Sequence, residues 1–200
     1  MRSCYLFFVL LIVTAPPCFS QKVIVHASME NKITTMQSDT IYYDFKHQLN
    51  WVDFKGKPDN NHFGGAVTAS GFAFDSQMNF NGTTMYLNIG VYTFFTKNES
   101  WKKPGINSTY HLLHEQHHFD ITWLGPQKLV VEIARAHFTK DNYNRLLTSL
   151  FEKAYKENLE IQHLYDSETV HSINTVKQQE WNDKIAAEIK KLREFLIAKN

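Results

Sequence analysis

His114, Glu115 and His118 spell H-E-x-x-H within a run of residues that reads as helix. Histidines four apart on an α-helix lie about 40° apart around its axis, so both can reach one metal ion. Glu115 then sits beside them, free to act on water at the metal rather than to ligate it. The surroundings suit a helix, because Leu112, Leu113, Phe119 and Ile121 supply apolar positions and no Pro or Gly interrupts residues 108–124. The pattern fits a metal-bearing helix that needs a further ligand from elsewhere in the chain, the alternative being a His-rich exposed helix with no metal. His111 falls near the same face, whereas His117 points elsewhere, to the surface or to a position beside the ligands.

Residues 1–20 read as a signal peptide. Arg2 supplies a short positive region, residues 5–13 are uninterruptedly apolar, and Cys18 and Ser20 are small residues before a cut at Gln21. The apolar run is too short to span a bilayer, and no later stretch approaches the necessary length. The expected product is an exported chain, periplasmic or extracellular, with no transmembrane segment. Both cysteines, Cys4 and Cys18, lie in this leader, so residues 21–200 can form no disulfide and depend on a packed core. Hydrophobic residues make up 43% and aromatics 14% of the sequence, enough for one sizeable domain. Without Arg2, the 21 basic residues become 20 against 20 acidic ones. That balance gives no reason to expect nucleic acid as a partner.

The remaining sequence divides by period. Residues 23–25, 40–45, 66–74 and 85–95 are rich in β-branched and aromatic side chains, and turn-forming clusters at 57–61, 64–65 and 79–82 separate them. Four or more antiparallel strands are expected. After Pro104-Gly105 the period becomes helical. The first helix should end or kink at Gly125-Pro126, with the pattern resuming over 129–137. A second helix is expected over about 140–163. A third is expected over about 174–198, with Trp181, Ile185, Ile189, Leu192 and Leu196 on one stripe. The fold class is α+β: an N-terminal antiparallel sheet packed against three to four C-terminal helices, as one zincin-like metallohydrolase domain over 21–200.

Two histidines leave a catalytic zinc centre one protein ligand short. Ile121 and Leu124 stand where the metzincin extension needs Gly and His, so that subclass is excluded. A third ligand from Glu132, Glu152 or Glu157 has no local pattern behind it. The segment 164–172, LYDSETVHS, reads as a polar loop between two helices and carries Asp166, Glu168 and His171. By spacing alone, His171 and Asp166 are equal candidates.

Several blocks resemble the bacterial family of predicted secreted zinc-dependent proteases. Residues 49–58, LNWVDFKGKP, are similar to its opening L-x-W-x-D-F-x-G, and residues 112–121, LLHEQHHFDI, to its H-E-Q-x-H-F-D-I signature. Residues 66–71 and 95–101 resemble the blocks between. Tyr165, Asp166, Thr169 and His171, followed by Gln179, Trp181 and Asn182, resemble its Y-D-x-x-T-x-H segment and the helix after it. His117 and Ser172 stand where that family usually has Gly. The resemblance implies one Zn²⁺ per chain held by His114, His118 and His171, with Asp166 the alternative to His171. It also implies a peptide or protein substrate hydrolysed through a metal-activated water, with Glu115 as catalytic base. Tyr165 is a candidate to steady the oxyanion, and Asp120 or Asp166 to orient a ligand. The competing reading is a non-catalytic metal-binding or structural protein of the cell envelope.

Overall fold

The computed structural model describes residues 22–35 and 37–198, with side chains through 194. The expected leader, with Cys4 and Cys18, and the side chain of Leu196 lie outside the described residues. The chain runs through six strands and then three helices. The strands are β1 (Lys22–Met29), β2 (Thr40–Tyr42), β3 (Ala66–Val67), β4 (Ser70–Phe80), β5 (Thr84–Thr96) and β6 (Trp101–Lys102). The helices are α1 (Thr109–Arg135), α2 (Tyr143–Thr169) and α3 (Thr175–Ala198).

Strand β5 is the axis of the sheet. Its alternation is strict, with Met85, Leu87, Ile89, Val91, Thr93 and Phe95 buried and the residues between them less so. A tight turn joins it to β4. Asn81 Oδ1 accepts from the backbone N–H of Thr83 and Thr84, and Gly82 takes φ +94°, which favours glycine. β4 pairs antiparallel along one edge of β5, from Phe80↔Met85 to Ser70↔Phe95. The other edge is shared. β2 is antiparallel there, but β1 is parallel, from Lys22↔Thr84 to Met29↔Val91. The sheet is therefore mixed rather than wholly antiparallel. Period-2 alternation fixes which face a side chain takes, not which way its strand runs; direction comes from the connection, and no hairpin joins β1 to β5.

The helices cover the buried face of β5. Leu87, Ile89 and Val91 meet Leu129 and Ile133 of α1 and Leu147 and Ala154 of α2 in the largest apolar cluster. Burial of each such side chain stabilises by about 1.5–3 kcal/mol. A second cluster joins Phe95 to Leu49, Phe54 and Phe119, and a third packs Ile121 and Tyr165 against Trp181 and Ile185 of α3. Among the described residues, no helix is long and apolar enough to cross a membrane.

Two helix boundaries differ from expectation, for the same reason: packing between α1 and α2. α1 does not end at Gly125-Pro126 but continues to Arg135. Here Gly125 is a contact residue. A Cβ on it would lie 2.5 Å from Asn158 Nδ2, which donates to the carbonyl of Ile121 at 2.8 Å. α2 likewise runs past His163 to Thr169, so most of the expected loop 164–172 is helix, its buried Tyr165 and Thr169 facing the core. Gly125→Ala should therefore destabilise the fold by about 1–3 kcal/mol in urea unfolding, overpacking outweighing the better helix propensity of alanine.

Candidate metal centre

The first half of α1 is enclosed on nearly every side. His114, Glu115, Gln116, His117, Asp120 and Thr122 are all buried, so each needs a partner. α2 crosses α1 in the antiparallel sense, and its residues at four-residue intervals meet α1 at three levels. Asn158 bonds Ile121, Gln162 bonds His118, and Asp166 faces both His114 and His118.

The imidazoles converge on the Asp166 carboxylate. His114 Nε2 lies 3.2 Å and His118 Nε2 3.1 Å from Asp166 Oδ1, and the two Nε2 atoms are 3.3 Å apart. One ligand atom from each of these three residues falls within 4.8 Å of the others, and the group could hold a metal ion. Their outer nitrogens are held too. His114 Nδ1 is 2.8 Å from Gln178 Oε1, and His118 Nδ1 is 2.6 Å from Gln162 Oε1. Both amides are fixed in orientation, because Gln178 Nε2 donates to Tyr165 Oη and Asn182 Oδ1, and Gln162 Nε2 donates to the His118 carbonyl and Thr122 Oγ1. An amide oxygen only accepts, so each Nδ1 carries a hydrogen and each Nε2 faces Asp166. Tyr165 stacks on the His114 ring, with centroids 4.7 Å apart, and fixes its plane.

Glu115 stands beside this group with its carboxylate held by Thr68, whose Oγ1 lies 2.7 Å from Glu115 Oε2. The group opens on a cleft of about 240 Å³ that Thr68, Glu115, Gln162 and His171 also line. His171 lies at the rim. It is not among the three residues of the compact group, but its Nδ1 is 3.2 Å from Asp166 Oδ1, the oxygen that the other two imidazoles face. Tyr165 is fully buried, and its hydroxyl is bonded to Gln178 and the His114 carbonyl, so it supports the ring rather than facing the cleft. Asp120 orients neither ligand. It accepts from Tyr43 and Gln116 and pairs with His117, which is buried rather than at the surface.

Thr68, Gln162 and Gln178 were not singled out in the sequence. Glutamines on amphipathic helices look like solvated positions, and Thr68 lies between strands. The one signal was the spacing of Gln162 and Asp166, four residues apart, which matters only once α2 is known to continue through 166.

Comparison with known protein families, with curated proteins and with solved structures found no match.

Charge follows the geometry. Burial would raise the Asp166 pKa, but hydrogen bonds from His114 and His118 and the positive charge of His118 and His171 hold it well below the usual carboxylate range. Burial would lower that of His118. The hydrogen bond and charge of Asp166, with help from Glu115 and Gln162, outweigh this and raise it to about 9. In the metal-free chain, a proton on His118 thus occupies the position a metal would need. Metal uptake has to displace it. Affinity for a divalent metal should rise about tenfold per pH unit from pH 7 to 9 and level off above, where His118 is already neutral. Calorimetry at pH 7 in buffers of different ionisation enthalpy should count at least the His118 proton released per ion bound.

Proposed function

We propose that this chain is a zinc-dependent peptidase, and that zinc is held by His114, His118 and Asp166. The observation that carries this reading is the compact group itself: two imidazole Nε2 atoms and one carboxylate oxygen, with a buried glutamate next in sequence to the first ligand. Two nitrogens and an oxygen form a donor set that zinc accepts, and three protein ligands leave a coordination position open, as in hydrolytic centres. When bound, zinc would polarise a carbonyl and bring the pKa of water down to about 7.

The other tasks fall to the chain. Glu115 takes a proton from water in the cleft and returns it to the leaving amine. Thr68 holds the Glu115 carboxylate towards the cleft through its hydroxyl. Gln162 and Gln178 keep the Nε2 atoms of the two histidines turned inwards. In this reading Asp166 supplies the third ligand, and the leader expected over residues 1–20 sends the chain out of the cytoplasm.

Glu115→Gln should leave zinc content near one per chain and lower peptide hydrolysis by at least about 10²-fold. The assay is digestion of a mixed peptide library, with and without chelator, read by mass spectrometry. Cleavage abolished by chelator and restored by zinc supports the peptidase reading. Zinc bound with no cleavage of any peptide would leave a passive metal-binding protein instead.

A further inference from the structure

The turn that ends α2 adopts a backbone its residues resist. Val170, His171 and Ser172 have φ of 49°, 49° and 71°, and none is glycine. The left-handed region is costly for L residues and most costly for a β-branched one such as Val170. Strain of this kind persists only where the surroundings impose it, and it collects at functional sites. Three fastenings impose it here. The His171 N–H donates to the Asp166 carbonyl at 3.1 Å, the Asn174 N–H donates to that of Thr169 at 2.7 Å, and the Tyr110 hydroxyl, from the first turn of α1, donates to that of Ser172 at 2.7 Å. His171 of this turn reaches the metal centre, with Nδ1 3.2 Å from Asp166 Oδ1, and its ring centroid lies 5.4 Å from that of Phe63.

We propose that His171 is a positioning residue, outside the ligand set, and that the strained turn serves to hold its ring against the Asp166 carboxylate. The proposal rests on the metal reading above. Two atoms bound to one zinc, each at about 2.0–2.2 Å, cannot be more than about 4.4 Å apart. His171 stands outside a group drawn at 4.8 Å, yet its Nδ1 is 3.2 Å from Asp166 Oδ1. It therefore meets the carboxylate from beyond the ligand shell. Each ligand then has one outer partner, and each partner comes from a different element: Gln178 of α3 for His114, Gln162 of α2 for His118, and His171 of the turn for Asp166. Such partners orient a ligand, and losing one typically weakens metal binding 10–100-fold without abolishing it.

The test is zinc titration of the full chain against a competing chromophoric chelator, with no substrate present. Wild type should bind one zinc per chain. His171→Ala should still bind one, 10–100-fold more weakly, whereas Asp166→Ala should bind none in the same range. His171→Asn, whose side-chain amide can reach the same carboxylate oxygen, should recover most of the affinity. Val170→Gly should raise the melting temperature of the metal-free protein, because glycine tolerates the turn, and should weaken zinc binding by loosening His171. If His171→Ala loses zinc as completely as Asp166→Ala and His171→Asn restores nothing, His171 is a ligand and the proposal is overturned. Unchanged affinity in His171→Ala, or a lower melting temperature in Val170→Gly, would also overturn it. A wild-type chain that takes up no zinc would overturn the metal reading and this proposal together, and that failure appears before any variant is compared.

Discussion

Enclosing the first half of α1 obliges nearly every polar group on it to find a partner inside the protein, and much of the tertiary structure answers that demand. A buried donor or acceptor left alone costs about 1–3 kcal/mol, more if charged. The partners are drawn from the whole chain. The Leu49 N–H donates to Gln116 Oε1, the Tyr43 hydroxyl to Asp120, the Thr68 hydroxyl to Glu115, and Gln162 and Gln178 reach in from α2 and α3. Burial, reinforced by the Asp120 charge, pushes the Tyr43 hydroxyl pKa well above its ordinary value, so the hydroxyl keeps its proton throughout the physiological range. His117 is the partial exception, with Nδ1 on Asp120 and no bond at its buried Nε2.

The ligand geometry is thus a result of helix packing. Asn158, Gln162 and Asp166 are four residues, just over one turn, apart, about 6 Å along α2, and each meets its own level of α1. The close approach at Gly125 sets how near the two axes come. A change that spread the helices there would reach the carboxylate two levels away. That coupling suits a centre whose donors have to sit within a few tenths of an ångström of their working positions.

Much of this was legible in the residues. The H-E-x-x-H spacing put His114 and His118 on one helical face, and the structure brings their Nε2 atoms together. The change from period 2 to period 3.6 marked the passage from sheet to helices, and the stripe of Trp181 and Ile185 marked the buried face of α3. Other features were not legible because they depend on what lies opposite. Gly125-Pro126 has the composition of a helix stop, and the packing of Leu129 and Ile133 beyond it, in the core against β5 and α2, is not written there. The polar run at 164–169 looks like a loop until Tyr165 and Thr169 are seen facing a core. The direction of β1 leaves no trace in its alternation. That Asp166 joins the two histidines in one compact group depends on where α2 ends, a boundary that periodicity locates only to within a few residues.

The parallel edge strand bears on how the molecule assembles. Lys22 pairs with Thr84, 62 positions further along the chain, and every rung of that ladder repeats the same long separation. In the β4–β5 hairpin, by contrast, the innermost pair, Phe80 and Met85, is separated by only four residues. Chain closure over long intervals loses more entropy before any contact compensates, so local pairings form readily and distant ones wait. The segment that leaves the ribosome before the rest of the sheet is therefore among the last to find its seat, and until then one flank of β5 stays open to solvent and to other chains.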